Sequence, residues 1–335
     1  MPGVCPWYRW GQDVRYHTQV EILYALDAAA RGPFDRAAWF GLLARHGNAP
    51  TVLETGSGPD RTAMILREGP SGWSSYDHMF AFGWRPLGNA DPAALASMAR
   101  SLQSRTPVVT LDKLETEHDT ATLLRDAFRS AGWFARLERT GTNHVLDLQD
   151  RDFAQYWERR PGPLRTTVKR KRNKVRIEIH ETFDPAAWLA YAKVYGESWK
   201  PEEAQFDLLT GFARAEAALG HVRIGLAYLG DAPVAAQFWT VENGTAYIHK
   251  LAYDAAYRNL SAGTVLSASM FEHVIDNDRV ARIDFGTGDD QYKRDWMDKA
   301  LPVMRLTCVD WRQRAGLSFL ARAAGRKLAS RLASR

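Results

Sequence analysis

Along the chain, segments with an apolar residue at every second position or in short apolar runs alternate with segments whose apolar residues recur every three or four positions. The first kind predicts strands and the second predicts helices. In the first half, the predicted strands are 51–54, 62–66, 75–82, 108–111, 134–137 and 144–148, and the predicted helices are 92–103 and 119–131. From about residue 152, the predicted strands are 176–180, 222–228, 234–241, 246–253, 282–285 and 303–309, and the helices are 185–198, 206–219, 265–275 and 289–297. Both halves are therefore predicted to be α/β, each with a mixed sheet of the α+β type.

Two loops of the second half carry clear local signals. The segment 242–245 reads ENGT, and its Asn-Gly pair supplies the positive φ angles of a type I′ hairpin turn. The segment 257–266 reads YRNLSAGTVL and connects a predicted strand to a predicted helix. Small residues at a helix start either cap the helix or leave its amides open to an anion.

Composition sets the outer limits of what the chain does. Its 335 residues are 45% hydrophobic, which is enough for buried cores and excludes disorder of the whole chain. No apolar run is long enough to span a bilayer, and charges near the N-terminus (Arg9, Asp13, Arg15) argue against a signal peptide. Cys5 and Cys308 offer neither a disulfide framework nor a metal-ligand spacing. We therefore expect a soluble, cytoplasmic protein.

The positive charge of the chain is concentrated in two short segments. Residues 165–176 and 312–335 each hold seven basic and no acidic residues, and without those fourteen the chain has 30 basic against 39 acidic residues. The first segment is either a solvated face or an anion site.

In the second basic segment, apolar residues share one helical stripe, and Arg322 and Arg326 lie opposite. The stripe consists of Leu317, Leu320, Ala321, Ala324, Leu328 and Leu332. This pattern suits an interfacial helix on anionic lipid at the inner face of a membrane, but Phe319 on the basic side weakens it. Packing on the protein body and fraying are the alternatives.

Four separated segments resemble one known family. They are YWERRPGPLRTTVKRKRNKV (156–175), ESWK (197–200), HKLAYDAAYRNLSAGTVL (249–266) and DFGTGDDQYKRDW (284–296). They are similar, in this order, to the acetyltransferase domain of CelD/BcsL-type proteins, a branch of the GNAT superfamily related to the Fem peptidyltransferases. The resemblance implies two tandem GNAT-like halves: a degenerate half at 1–150, an acyltransferase half at 151–310 that holds acyl-CoA, and a basic amphipathic helix at 311–335.

GNAT proteins hold the coenzyme A diphosphate with a Q/R-x-x-G-x-G/A loop at a helix start. The corresponding residues here are Arg258, Asn259, Ser261, Ala262, Gly263 and Thr264. Ser261 stands where the family pattern has its first glycine, and a serine-capped structural helix is the competing interpretation. In the strand, loop and helix context we favour phosphate binding.

The resemblance also implies that strand 246–253 parts from strand 282–285 to admit the pantetheine arm. Alternation places His249, Leu251 and Tyr253 on one face of the first strand. His249 and Asp284 are then the candidate bases. The competing interpretations are a hydrogen-bonded strand histidine and an aspartate that caps the following turn.

The last predicted helix of the second half supplies further candidates. By resemblance, Tyr292 is the candidate general acid, and Lys293 is the candidate for the oxyanion or a phosphate. Trp199, Lys200 and Trp296 are the candidate acceptor-binding residues. Packing in the core is the alternative for Tyr292, Trp199 and Trp296, and solvation is the alternative for Lys293.

The sequence does not support a kinase, a metal site or a nucleic-acid-binding surface. DFG at 284–286 has neither a glycine-rich loop nor an HRD segment to make a kinase, and the nine histidines lack metal spacing. The basic runs have no aromatic platform for nucleic acid. We therefore expect an acyl-CoA-dependent N-acyltransferase without a metal, whose acceptor is a small-molecule or lipid amine such as a long-chain base or an amino sugar. A Fem-like aminoacyl-tRNA-dependent ligase and a non-catalytic GNAT scaffold are the alternatives.

Overall fold

The computed structural model describes residues 13–47 and 49–333, and the side chains of 326–333 are not described. Cys5 and Arg9 therefore lie outside the described residues, as do the side chains of Arg326, Leu328 and Leu332 in the predicted stripe. The chain divides into two compact units, residues 1–140 with 302–335, and residues 141–301. The predicted boundaries at 150/151 and 310/311 differ from this division, because the last strand pairs within the first unit.

Apart from 3₁₀ segments, the described residues up to 147 form seven strands and three α-helices. They are β1 (Arg15–His17), α1 (Ala37–His46), β2 (Thr51–Thr55), β3 (Thr62–Arg67), β4 (Trp73–Ser75), β5 (Leu87–Gly88), α2 (Pro92–Leu102), β6 (Val108–Leu114), α3 (Thr120–Ser130) and β7 (Phe134–Asp147).

The elements that follow are six strands and seven helices. They are α4 (Phe153–Glu158), α5 (Gly162–Lys171), β8 (Arg176–His180), α6 (Pro185–Gly196), α7 (Phe206–Ala217), β9 (Val222–Leu229), β10 (Ala232–Glu242), β11 (Thr245–Tyr253), α8 (Ala262–Glu272), β12 (Arg282–Thr287), α9 (Gln291–Trp296), β13 (Lys299–Val309) and α10 (Arg314–Ala333).

In the first unit the strand order is β1-β2-β3-β4-β6-β13, and β5 pairs with β3. Only β4 and β6 are parallel among these pairs. The helices α2 and α3 pack on this sheet through a buried cluster that includes Leu95, Phe128 and Trp133. The mixed α/β class predicted from the sequence is confirmed in this unit.

The strand predicted at 75–82 is wrong, because β4 ends at Ser75 and an irregular segment follows. Tyr76 and Phe80 are each buried although they belong to no strand, and their spacing gave the sequence its strand-like pattern of apolar residues. The Lys113 ammonium donates to the carbonyl oxygens of His78 and Ala81 and so satisfies backbone groups that a strand would pair.

In the second unit the order is β8-β9-β10-β11-β12-β7, with β11 and β12 the parallel pair. Helices α5 and α8 cover one face through residues such as Trp239, Leu266 and Phe271. Helix α6 packs on the other face of β10, where Trp188 meets Phe238 at a ring-centroid distance of 5.4 Å. The predicted type I′ turn is confirmed, with φ of 48° at Asn243 and 70° at Gly244.

The parallel pairing of β11 with β12 is short. It joins Thr245 to Arg282, Ala246 to Ile283 and Tyr247 to Asp284, and both strands then continue without each other. A notch between two strands of one sheet is what the sequence resemblance led us to expect. The split positions the candidate site, because beyond Tyr247 and Asp284 the facing edges of the two strands are no longer bonded to each other.

Among residues 13–47 and 49–333, no helix combines the length and the apolar character that crossing a bilayer requires. Helix α10 begins at Arg314, and within its described side chains Leu317 is 52% exposed.

We predict that Phe271→Ala destabilises the protein by about 3–5 kcal/mol, because the ring is fully buried and contacts the rings of Tyr156, Trp239 and Trp296. Urea denaturation measures the free energy of unfolding. Leu189→Ala is the control, since Leu189 is 70% exposed and its truncation is expected to cost no more than about 0.5 kcal/mol. Equal losses in the two variants would contradict the assigned core.

Candidate active site

A pocket of about 560 Å³ opens where β11 and β12 part. Its wall combines the end of β11, the loop before α8, the first turns of α8, the start of α9 and the turn after α6. The lining residues are Trp199, Lys200, Gln237, Leu251, Ala252, Tyr253, Arg258, Ser261, Ala262, Gly263, Thr264, Ser267, Phe285, Asp290, Tyr292 and Trp296. The fold thus brings together eleven of the fifteen residues selected from the sequence.

The loop before α8 has the conformation that a glycine pattern specifies. Ser261, at the start of α8, has φ of 52° and ψ of 35°, in the left-handed region that favours glycine. Its carbonyl accepts the amide of Val265 at 3.1 Å, and this is the first bond of the helix. The geometry of a helix start leaves the amides of Ala262, Gly263 and Thr264 without helical acceptors. Their partial positive charge faces the pocket that these residues line.

The basic segment contacts this loop directly. The Lys171 ammonium, at the end of α5, donates to the Ser261 hydroxyl oxygen at 3.1 Å and to the carbonyl oxygen of Asn259. Asn259 is exposed and does not line the pocket, and its carbonyl oxygen anchors Lys171, so its part in binding the cofactor stays a prediction. A lysine beside free amides adds positive charge to the helix start.

A buried amide holds α8 against β10. Gln237 is fully buried, and its Nε2 donates to the Ser267 hydroxyl at 2.8 Å and to the carbonyl oxygen of Gly263 at 3.2 Å. Its Oε1 accepts the Trp239 indole N–H at 3.0 Å. Sequence reasoning missed Gln237, although a glutamine inside the apolar run VAAQFW (234–239) signals a buried polar group that needs partners.

His249 does not line the pocket. A bulge interrupts β11, because Ile248 pairs with Trp239 and Lys250 with Phe238, which leaves His249 as the extra residue. The shift of one residue breaks the predicted alternation with Leu251 and Tyr253.

The imidazole of His249 instead stacks on Phe238 and shares a 2.8 Å hydrogen bond between Nε2 and the Thr240 hydroxyl. Burial and nearby Lys250 lower the pKa of His249 to about 3, so the ring holds no proton near neutral pH. In this structure His249 is therefore a hydrogen-bonded strand histidine outside the pocket, which is the competing interpretation given from the sequence.

Asp284 lies at the last position of β12 that pairs with β11. Its carboxylate accepts a hydrogen bond from the backbone N–H of Gly286 at 2.8 Å, which is the bond expected of an aspartate that caps the following turn. It also accepts one from the side-chain amide of Asn143 at 3.2 Å. Burial raises the pKa of Asp284 to about 6, and these hydrogen bonds oppose the shift. Asp284 does not line the pocket, although it marks the point where the strands part.

Lys293 is buried beside the last three residues of β12. Its ammonium donates to three consecutive carbonyl oxygens, those of Phe285 (3.1 Å), Gly286 (3.2 Å) and Thr287 (2.7 Å). An ammonium has three N–H donors, so all three are used. In this structure these bonds leave no N–H for the predicted oxyanion or phosphate role, and they hold the chain where β12 turns away from β11.

Tyr292 reaches the pocket and remains a candidate acid. Its ring is 45% exposed and meets Phe285 edge-on at a centroid distance of 5.6 Å. Burial of one side and the nearby Asp290 carboxylate raise the pKa of Tyr292 to about 12, so the phenol carries its proton at neutral pH.

The three candidate acceptor-binding residues also line the pocket. Trp199 is 66% exposed at its edge, whereas Trp296 is buried and packs on Phe271 at a centroid distance of 4.8 Å. The Lys200 ammonium donates to the carbonyl oxygen of Leu251 on β11 at 2.5 Å. Burial, with Lys250 and Lys293 nearby, lowers the pKa of Lys200 to about 8.

Away from the pocket, one group of metal-ligand type is found among the described side chains. Glu216, His221 and Glu242 place one side-chain atom each within 4.8 Å of one another, and His221 Nδ1 lies 3.0 Å from Glu216 Oε2. The spacing of the histidines did not predict this group, because its members come from three elements. The hydrogen bond between His221 and Glu216 accounts for one side of the arrangement, and Glu242 Oε2 lies 3.9 Å from His221 Nδ1, beyond hydrogen-bonding distance.

Residues 159–294 match the family model of the acetyltransferase (GNAT) domain. The match is to GNAT domains in general, so the narrower CelD/BcsL assignment rests on the sequence resemblance. The search of curated proteins found no match to the chain.

Three solved structures illustrate the fold of the chain. FemX has a TM-score of 0.64 at 10% identity, covering 88% of this chain and 96% of its own. The C-terminal domain of a putative lysylphosphatidylglycerol synthetase from Agrobacterium fabrum has a TM-score of 0.60 at 13% identity, covering 90% and 94%. A tandem GNAT protein from the clavulanic acid biosynthesis pathway has a TM-score of 0.51 at 13% identity, covering 88% and 98%.

We predict that Ser261→Gly is more stable than Ser261→Ala by about 1–2 kcal/mol, because both variants lose the hydroxyl and only alanine keeps a Cβ in the left-handed conformation. This order is the reverse of the usual helix preference. Thermal and urea unfolding of the two variants measure the difference. An alanine variant as stable as the glycine variant would show that the backbone at residue 261 is not left-handed.

We also predict a pH dependence from Asp284. Because its folded pKa, about 6, exceeds the ordinary aspartate pKa of 3.8, the folded state binds this proton more tightly. The resulting stabilisation, up to about 3 kcal/mol, is complete below pH 3.8 and is lost as the pH rises to about 6.

Asp284→Asn should remove that loss, so its unfolding free energy relative to the wild type should rise between pH 4 and 6. Urea denaturation at several pH values measures it, with Asp231→Asn at an exposed position as the control. Parallel stability curves for the wild type and Asp284→Asn would contradict the shifted pKa.

Proposed function

We propose that this protein, an acyltransferase with a GNAT acetyltransferase domain at residues 159–294, transfers an acyl group from a coenzyme A thioester to an amine. The observation that carries the proposal is the position of one pocket. The same pocket is lined by the amides that begin α8 and by the part of β11 that has left β12. A diphosphate and an extended amide-bearing arm require those two features side by side.

The donor would lie along β11. Its diphosphate would accept from the amides of Ala262, Gly263 and Thr264, with Arg258 on the pocket wall and Lys171 beside the loop. The pantetheine amides would pair with the edge of β11 near Leu251 and Tyr253, which β12 no longer occupies, beside the Leu251 carbonyl oxygen that already accepts from Lys200. The thioester would then lie near Tyr292.

In this reaction a neutral amine nitrogen attacks the thioester carbonyl carbon, and the oxygen becomes an oxyanion. The intermediate collapses as the carbonyl re-forms and the C–S bond breaks. Tyr292, which holds its proton at neutral pH, donates it to the departing thiolate. Asp284 does not line the pocket, so it would take the proton of the amine through a bridging water, and a pKa of about 6 suits such a base at neutral pH.

For the acceptor we propose a lipidic long-chain base or an amino sugar. The exposed indole of Trp199 at the pocket edge suits a partly apolar acceptor. One structural relative is named for lysylphosphatidylglycerol, a lipid. The basic segment 312–335 would hold the enzyme at an anionic membrane surface while it reaches such a substrate.

A Fem-like aminoacyl-tRNA-dependent ligase is the second candidate. FemX shares the fold, and the basic helix α5 ends at the loop that would bind the donor phosphates. In that case exposed Arg165, Lys169 and Arg170 would contact RNA phosphates. A non-catalytic scaffold is the third candidate, and it would not bind coenzyme A.

The test supplies purified protein with radiolabelled palmitoyl-CoA or acetyl-CoA, and with sphinganine or glucosamine as the acceptor. We expect a labelled amide, in the organic phase with sphinganine or the aqueous phase with glucosamine. Label only in water-soluble amide would contradict the lipid acceptor. Transfer from charged tRNA that ribonuclease abolishes, without transfer from either thioester, would favour the ligase, and no heat on titration with millimolar coenzyme A would favour the scaffold.

A further inference from the structure

The lysine that the family resemblance assigns to the oxyanion is not available for it. Lys293 is 5% exposed, and its three donors are satisfied by the carbonyl oxygens of residues 285–287. Moving it toward a substrate would leave those buried carbonyls without partners, which costs about 1–3 kcal/mol for each group. Another cation is needed if a charge is to stabilise the intermediate.

Among the described residues that line the pocket, the permanent or titratable cations are Lys200 and Arg258. Arg258 belongs to the phosphate-binding loop, whereas Lys200 follows α6 and reaches β11. Its ammonium lies 2.5 Å from the carbonyl oxygen of Leu251, two residues past the bulge at His249. This part of β11 is the edge along which the proposed donor would bind.

We propose that Lys200 is a catalytic residue, whose ammonium stabilises the oxyanion of the tetrahedral intermediate. The inference rests on the proposed acyl transfer and extends it. As the amine nitrogen bonds to the thioester carbon, the carbonyl π electrons move onto oxygen, and one N–H of Lys200 donates to that oxygen. When the C=O bond re-forms and the C–S bond breaks, the interaction weakens, and Lys200 keeps its proton throughout.

The turn that carries Lys200 is held in place. The backbone amide of Lys200 donates to the Ser198 hydroxyl oxygen at 3.3 Å, and that hydroxyl donates to the carbonyl oxygen of Tyr195 at 2.7 Å. The Ala255 amide donates to the carbonyl oxygen of Glu197 at 3.4 Å, which ties the turn to the end of β11. A donor fixed before the substrate arrives needs little reorganisation when charge develops.

The surroundings of Lys200 are rich in cations. Lys250 and Lys293 lie nearby, and the acids that face the group are Asp290 on the pocket wall and Glu203, which already pairs with Lys250. The phenols nearby are Tyr195, whose ring centre is 6.0 Å from the Lys200 ammonium, and Tyr292. A partly desolvated ammonium interacts more strongly with an oxyanion than a solvated one.

The test compares Lys200→Met with the wild type and with Lys193→Met, which removes an exposed lysine of α6. The donor is palmitoyl-CoA, the acceptor is sphinganine, and release of coenzyme A is followed as free thiol. We expect Lys200→Met to lower kcat by about 10²–10³-fold with little change in the KM for palmitoyl-CoA, as loss of an oxyanion donor does. Lys193→Met should match the wild type.

The pH profile separates catalysis from support of β11. Because Lys200 acts as the ammonium and burial lowers its pKa to about 8, wild-type kcat should fall as the pH rises through about 8. Lys200→Met should lack that limb. Aminoethylation of Lys200→Cys restores an amine of lower pKa, so it should recover activity with the limb moved to lower pH.

Unchanged kcat in Lys200→Met, with a raised KM or a lowered melting temperature, would show that Lys200 only holds β11, and would overturn the inference while the proposed function stands. No turnover by the wild type with palmitoyl-CoA or acetyl-CoA, and with either acceptor, would overturn both.

Discussion

The site depends on the ammonium of Lys293 and the three carbonyl oxygens that follow Asp284 along β12. These carbonyls lie where β12 no longer pairs with β11, while its other edge still pairs with β7 at Thr287. Because Lys293 satisfies them, β12 can leave β11 after three paired residues. A lysine outside the pocket thus keeps open the notch in which acyl transfer is proposed.

The second constraint is the left-handed backbone at Ser261. It ends the preceding turn, starts α8 and directs the first amides of the helix toward the pocket. A serine there costs conformational energy that a glycine would not, and Lys171 bonds its hydroxyl. Gln237 then fixes the first turn of α8 to β10. Backbone strain, one lysine and one buried amide together define the proposed phosphate-binding end.

The sequence predicted most elements of the second unit because its strands are apolar and its turns have specific signatures, such as Asn243-Gly244. The pocket residues of β11 and α8 were predictable from strand, loop and helix order. His249 was misplaced because a bulge shifts alternation by one residue, and no residue type marks a bulge. Lys293 was misassigned because the burial of a lysine depends on carbonyls that only the folded turn brings together. The strand predicted at 75–82 was wrong because separate buried aromatic residues in an irregular segment give the same sequence pattern as a strand.

The most direct measurement is a crystal structure of the protein with coenzyme A. The account predicts the diphosphate within about 3 Å of the amides of Ala262, Gly263 and Thr264, with the pantetheine arm against the free edge of β11 and its sulfur between Lys200 and Tyr292. Coenzyme A bound elsewhere, or a notch that closes by pairing of β11 with β12 beyond Tyr247 and Asp284, would contradict it.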